Sequence, residues 1–322
     1  MENKSRLDLK DYKILRELDS DFRISFSQIG KRVGLSKNSV ALRFEKLNEF
    51  MLHNVAGINN EVLGYTLVKV FYNFDFLNDK IQNDIALELK KHPSILWAAR
   101  FYGNYDLVIC LLVNNLNDLI YHVSKFNEKF SSKINQKELQ IITKQTFFRN
   151  NFIHTNPLLK KYEIKPCEKR VILDETDKRI LTELRYSPRI NITEISSKLK
   201  LSAKTITKRI RTMEKNQVIM GYFMTLDPTK FNFNSYKLLF QTQNLKDESE
   251  FENYLSEIKN IKYITKMLGQ WDYEVDCVYS NISDLQNQIE LIKERFPNIL
   301  KKISILSFGK RIATNKEKFI LP

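Results

Sequence analysis

Glycine is scarce in this chain, with eight in 322 residues, and the closest pair, Gly30 and Gly34, fits no G-x-G-x-x-G, G-x-S-x-G or phosphate-cradling pattern. The common nucleotide-binding loops and the hydrolase nucleophile elbow are therefore excluded. Cysteine is rarer still. Cys110, Cys167 and Cys277 form no C-x-x-C pair, and with only four scattered histidines they build no recognisable zinc site. No metal, no cofactor and no catalytic residues are expected, and the thiols read as buried reduced cysteines. Long apolar runs are missing as well: the longest is Leu107–Val113, against the roughly 20 residues a bilayer span requires. The charged N-terminus has no signal-peptide-like apolar stretch, so no membrane partner and a cytoplasmic location are expected.

What remains is a globular composition, 43% hydrophobic and 28% charged, in a chain long enough for two to four domains with real cores. Its charge is one-sided: 52 Lys+Arg against 38 Asp+Glu give +14. Such a balance points to a polyanionic partner, nucleic acid before membrane.

The chain repeats itself at a shift of 166 residues. Leu7–Leu52 lines up with Leu173–Val218, so that Asp11 meets Asp177, Ile14-Leu15 meets Ile180-Leu181, Arg23-Ile24 meets Arg189-Ile190 and Arg43 meets Arg209. Further on, Gly103-Asn104-Tyr105-Asp106 falls on Gly269-Gln270-Trp271-Asp272. Within each repeat the first third has helical spacing, as in Ile14, Leu15, Leu18, then Ile29, Val33, then Val40, Phe44, Leu47. The remainder of repeat one predicts strands at 65–74, 95–102, 106–113 and 138–147, with helices at 78–91 and 117–130 capped by Asn78 and Asn117. Strand, helix, strand, strand, helix, strand is the ferredoxin-like order. The fold class is therefore α+β: two repeats, each a helical segment followed by a ferredoxin-like βαββαβ domain. The expected domains are residues 1–60 and 61–154, an extended linker at 155–170 holding Pro157 and Pro166, then 171–228 and 229–322.

Gly34-Leu35-Ser36 has the composition of a helix-turn-helix turn: a residue for left-handed backbone, an apolar plug, and a hydroxyl cap for the next helix. Lys200-Leu201-Ser202 repeats it with lysine at the first place. Beyond each cap, Lys37, Asn38, Ser39, Arg43 and Lys46, and again Lys204, Thr205, Thr207, Lys208 and Arg211, lie on the outward face of an amphipathic helix. Long cations reach phosphates or guanine edges, asparagine pairs with adenine, and hydroxyls serve either. Arg43 and Arg209 have a second possible use, anchoring the helix to acids of the same domain.

These residues resemble the Lrp/AsnC family of transcription regulators. The resemblance rests on D-x-x-D-x-x-I-L-x-x-L at Asp8 to Leu18 and Asp174 to Leu184, on the Leu-Ser before the recognition helix, and on G-x-[YW]-D, and it spans nearly the whole chain twice. It implies a winged helix-turn-helix at the start of each repeat, a double-stranded DNA partner, a nucleoid-associated regulator, a covalent pseudo-dimer with further homo-oligomerisation, and an amino-acid effector near the G-x-[YW]-D loops. Gly103, Asn104, Asp106, Gly269 and Asp272 are the effector candidates, though the glycines and aspartates can equally serve the turns themselves. The glycine that the family places just before the wing is missing from Glu49-Phe50-Met51 and from Asn216-Gln217-Val218.

The two heads are unequal. Residues 1–60 carry net +3 and residues 167–222 net +6, and Asn38 has no amide counterpart in the second head. One asymmetric DNA site is the expectation. Two other readings stay open: a DNA-independent small-molecule sensor, and an enzyme like the siroheme decarboxylases, which resemble the same architecture. The latter would place His and Arg around a tetrapyrrole, for which His92 and His122 are candidates whose aligned residues are Ile258 and Gln288. Finally, Glu274 and Asp276 stand where repeat one has Val108 and Cys110. Strand alternation puts both acids on one face, expected to meet the other repeat, with Lys69, Arg100, Lys237 or Lys266 as partners.

Overall fold

The computed structural model describes residues 7–92, 94–154, 161–243 and 248–314. Repeat one opens with α1 (Leu9–Ser20), started by a capping box between Asp8 and Asp11. Next come α2 (Phe26–Val33), capped by Ser25, and α3 (Lys37–Leu47), capped by Ser36. Gly34 takes the left-handed conformation between them, φ 68°. Then follow β1 (Met51–Ile58), β2 (Thr66–Phe74), α4 (Asp79–Leu89), β3 (Ile95–Tyr102), β4 (Leu107–Val113), α5 (Leu116–Phe130), β5 (Ile134–Phe148) and β6 (Lys161–Ile164). Repeat two runs α6 (Glu175–Tyr186), α7 (Ile192–Leu199), α8 (Ala203–Lys215), β7 (Ile219–Leu226), β8 (Asn234–Thr242), α9 (Glu248–Glu257), β9 (Ile261–Leu268), β10 (Tyr273–Tyr279), α10 (Ile282–Arg295) and β11 (Leu300–Thr314).

One expectation is corrected. Asn78 caps α4, but α5 begins one residue earlier than read, at Leu116, and is capped by Asn115, not Asn117, because Asn115 is the residue in extended backbone whose side chain reaches the Asp118 amide. Part of the expected linker is a paired strand. Residues 155–160 lie outside the described residues, but Lys161–Ile164 pairs with the overhanging end of β5, Tyr162 opposite Phe147. Lys200 keeps the turn that Gly34 makes, at φ 55°.

The chain divides into two units, each gathering like domains from both repeats. One unit holds the residues up to Ile58, a segment from Arg149, and Leu173–Phe231, which are the two helical heads. Here the strand after each recognition helix does not fold back into a hairpin. β1 pairs antiparallel with β7, Ala56 opposite Tyr222, so the two heads share one ribbon. Buried Asp19 at the end of α1 fastens the segment after β5, accepting from the Asn150 backbone and side-chain amides at 2.9 and 2.7 Å, with His154 at 2.8 Å.

The other unit holds the two ferredoxin-like domains. Their sheets, β5-β2-β4-β3 and β11-β8-β10-β9, join through β3–β11 and β5–β9, so eight strands close on themselves and no edge of either sheet stays open along these four strands. Alternation divides the side chains. Val68, Val70 and Tyr72 pack outward against Ile85 and Leu89 of α4 and Leu119 and Phe126 of α5. Phe71, Phe101 and Val108 point inward to Leu239, Met267, Trp271 and Leu306 of the other repeat.

Glu274 lies on that inner face with no exposure, receiving Lys69 at 2.6 Å and Lys237 at 2.5 Å, and Lys237 also reaches Asp276 at 2.7 Å. Both acids do meet the lysines. Lys266 instead pairs with Glu248, and Arg100 stacks on Tyr102. The two lysines occupy equivalent places, fourth in β2 and fourth in β8, while the acids exist only in repeat two. Pairing two copies of repeat one would bury two ammonium groups without a carboxylate, and two copies of repeat two would set four carboxylates, two buried and two partly buried, against two ammonium groups. Only the mixed pair balances, and an uncompensated buried charge costs about 3–5 kcal/mol.

Burial raises the Glu274 carboxyl, but Lys237 and Lys69 outweigh it and hold its pKa at about 2, below its ordinary 4.5. A carboxyl depressed by folding stabilises the native state above its unfolded value and loses that contribution as pH falls through the folded one. On the order of 3 kcal/mol is therefore lost between pH 4.5 and 2. Glu274→Gln should lower stability by about 3–5 kcal/mol at neutral pH in denaturant titrations and flatten the acid dependence in that window. Replacing all four charged residues with apolar ones of similar volume should recover most of the loss; a Glu274→Gln protein of wild-type stability would refute the balance.

Candidate nucleic-acid interface and loop hollow

Each recognition helix begins at a serine cap. Ser36 accepts from the Ser39 amide at 3.1 Å and its hydroxyl lies 2.9 Å from that of Ser39; Ser202 and Thr205 repeat this at 3.1 and 2.8 Å. These hydroxyls are thus engaged in the turn. The Thr207 hydroxyl donates back to the Ala203 carbonyl at 2.8 Å. Arg43 contacts Asp8 and Asp11 at 2.7 and 2.6 Å, and Arg209 contacts Asp174 and Asp177 at 2.7 and 2.8 Å. Of the two uses open to these arginines, the structure shows the anchor, tying the third helix of each head to the start of the first. The Asp11 amide first, then Arg43, holds the Asp8 carboxyl below its ordinary range, and Asp11 and Asp8 raise the Arg43 guanidinium. Lys37, Asn38 and Lys46 on α3, and Lys204, Lys208 and Arg211 on α8, are exposed. Of the ten candidates on the two helices, six are therefore exposed, three on each.

The G-x-[YW]-D loops come together in the other unit. Trp271 Nε1 donates to Tyr105 Oη at 2.9 Å; the two residues are 166 apart, so the pseudo-twofold relation between the repeats passes between them. Gly103, at φ 140°, sits where a Cβ would lie 2.6 Å from the Ile305 carbonyl oxygen. Gly269, at φ 153°, sits where one would lie 2.6 Å from the Leu139 carbonyl oxygen. Each glycine thus lets one repeat's loop rest on the other repeat's last strand. The aspartates face home: Asp106 accepts from the Phe74 amide at 2.8 Å and Asn73 at 3.1 Å, and Asp272 from the Thr242 amide at 2.6 Å.

Four of the five effector candidates, Gly103, Asp106, Gly269 and Asp272, therefore serve the loops. Asn104 alone lines a hollow of about 270 Å³ beside them, together with Asn73, Tyr105, Gln136, Gln270, Trp271 and Lys302. Tyr105, Gln270 and Trp271 were visible inside the motif; Asn73, Gln136 and Lys302 arrive from other strands, and no local pattern marks them. The Lys302 ammonium stands 5.5 Å from the Trp271 ring centre.

His92 and His122 do meet, their rings 5.5 Å apart. The space beside them, walled by Tyr72, Ile109 and Phe126, holds about 10 Å³, at the threshold for a single water. Burial lowers the His122 pKa more than Asp118 raises it.

Comparison with known proteins bears on both halves. Residues 7–48 match the AsnC-type helix-turn-helix domain, and residues 173–220 match the winged helix-turn-helix DNA-binding family. The proline dehydrogenase transcriptional activator of Rhodobacter capsulatus is 30% identical over 105 residues, 32% of this chain and 68% of that protein. The HTH-type transcriptional regulator LrpC of Bacillus subtilis is 28% identical over 97 residues, 30% of this chain and 67% of that protein. Among solved structures, the siroheme decarboxylase NirDL superposes with a TM-score of 0.65 at 14% identity, covering 97% of this chain and 96% of that one. At that identity the likeness is one of fold.

Gly103→Ala and Gly269→Ala should each destabilise by about 1–3 kcal/mol, because both left-handed backbone and a carbonyl contact oppose a methyl. Asn104→Ala should stay within about 0.5 kcal/mol of wild type. Thermal melts decide the matter, and equal effects at Gly103 and Asn104 would show the glycine contact to be unimportant.

Proposed function

The chain belongs to the Lrp/AsnC family of transcription regulators, and from that premise we propose that its two unequal heads read one asymmetric DNA site. It is a DNA-binding transcription regulator. The observation that carries the finer reading is the twofold exposed face, Lys37, Asn38 and Lys46 on one head and Lys204, Lys208 and Arg211 on the other, with Arg43 and Arg209 held back by acids. Three cations on α8 neutralise phosphates irrespective of sequence, whereas Asn38 has the donor–acceptor pair that reads adenine. The second head supplies affinity and the first supplies discrimination.

The hollow lined by Asn104, Trp271 and Lys302 supports an effector small enough for about 270 Å³, with Lys302 to receive a carboxylate and amides to orient it. An amino acid fits that description. We read the chain as non-catalytic: the His92–His122 pair adjoins about 10 Å³ of space, far below the roughly 300–1,000 Å³ of a site for a sizeable ligand. Among the described residues no helix is long and apolar enough to cross a membrane. Action in the cytoplasm, at the nucleoid, and self-association of the fused pair belong to the same reading; light scattering measures the latter.

Selection of bound fragments from the source genome, followed by footprinting, should yield an asymmetric site with two unequal arms. Lys204→Ala, Lys208→Ala and Arg211→Ala together should weaken all sequences and reduce the salt slope by nearly one per lost contact. Asn38→Ala should cost about 1–3 kcal/mol at one arm only. A palindrome protected equally on both arms would refute the asymmetry, and no enrichment at any salt would refute DNA reading. An absorbance change of added siroheme would restore the enzymatic alternative.

A further inference from the structure

We propose that Arg189 and Arg23 are positioning residues that hold the two recognition helices at a set separation, and thereby set the spacing of the half-sites; this rests on the DNA-reading proposal above. The two arginines are equivalent in the repeat, each lying between the first and second helices of its head. Each crosses to the other head, and they do so differently.

Arg189 enters head one. Its guanidinium donates to the Phe22 carbonyl and, at 2.9 Å, to the Ile24 carbonyl. It stands 5.7, 4.5 and 5.4 Å from the ring centres of Phe22, Phe26 and Phe44. Phe44 belongs to α3, so this cation touches the helix that would lie on DNA. A planar guanidinium both stacks on aromatic faces and forks its donors to carbonyls, which an ammonium cannot do.

Head two has no such cage, since Pro188, Ile192 and Ile210 stand where head one has Phe22, Phe26 and Phe44. Arg23 accordingly goes elsewhere. It lies 4.7 Å from the Tyr222 ring centre and donates to its hydroxyl at 3.1 Å, and that hydroxyl donates to Glu214 of α8 at 3.0 Å. One arginine grips α3 directly, and the other grips α8 through Tyr222 on the shared ribbon. The ribbon also packs on the helices, with Met224 and Leu226 of β7 in one core with Val40 and Leu47 of α3; the two arginine contacts add polar ties that run from each head to the recognition helix of the other.

The test uses the full chain with Cys167→Ser, labelled with nitroxides at Glu45→Cys on α3 and Lys215→Cys on α8, and reads their distance distribution by pulsed electron resonance without DNA. A single narrow distribution is expected, broadened by Arg189→Ala and by Phe26→Leu, which keeps apolar bulk and removes the ring. Arg189→Lys should fall between. A distribution that is broad in the parent, or equally narrow in Arg189→Ala and Phe26→Leu, overturns the proposal. In parallel, duplexes carrying the selected half-sites at spacings varied by single base pairs should bind the parent with a sharp optimum. Arg189→Ala should lose about tenfold of the preference between best and worst spacing, with single half-site binding unchanged. An unaltered optimum also overturns the proposal. If the label distances respond as expected but no duplex binds, the positioning role stands and the DNA reading fails.

Discussion

The balance of buried Lys69, Lys237 and Glu274, with partly buried Asp276, is the constraint on which the ferredoxin-like unit depends. It sits on the faces that the two sheets turn to each other, where an unmatched charge has no water to fall back on. With the balance satisfied, β3 can join β11 and β5 can join β9. That junction is what brings Gly103 onto β11 and Gly269 onto β5, and what places Tyr105 against Trp271. The hollow beside those rings follows from the pairing of sheets and not from either repeat alone.

Most of the architecture was legible because it rests on periodicity. The helices of each head, the order of strands in repeat one and the Asn78 cap came out of spacing and local capping chemistry, as did the inward face of Glu274 and Asp276. What was not legible depends on pairing between distant segments. Lys161–Ile164 is too short to announce itself as a strand and becomes one because β5 extends beyond β2. The ribbon between β1 and β7 replaces a wing hairpin for the same reason: each strand finds its partner in the other repeat. Asn117 and Asn115 differ by two places, and only backbone geometry tells which amide reaches Asp118.

The candidate sites divide along the same line. The exposed cations of α3 and α8 could be placed from helical phase alone. The destination of Arg43 needed the acids of α1, and the motif that contains both gave two outcomes of which packing realised one. In the loops, glycine and aspartate look the same in sequence whether they bind a ligand or make a turn. Here the steric limit at Gly103 and the amides bonded to Asp106 and Asp272 assign them to structure. The residues left facing the hollow, Gln136 and Lys302 among them, occupy equivalent places in the last strands of the two repeats but carry different chemistry.

That difference follows from what fusion permits. In a homodimer every contact across the twofold axis is made twice with identical residues, so a lysine turned to the interface must find its carboxylate on a chain that carries the same lysine. Once both copies lie on one chain, a charge in one repeat can be answered in the other alone. Lys69 is then answered by Glu274, though 205 residues separate them. The Phe22, Phe26 and Phe44 cage obeys the same logic in the helical unit, since it needs an arginine only from the second repeat, and Arg23 is left to find Tyr222. Each such exchange makes the mixed pair better and both like pairs worse. The exposed faces of the recognition helices differ on the same terms, Lys37, Asn38 and Lys46 on α3 against Lys204, Lys208 and Arg211 on α8, because within one chain no twofold axis requires the two to match.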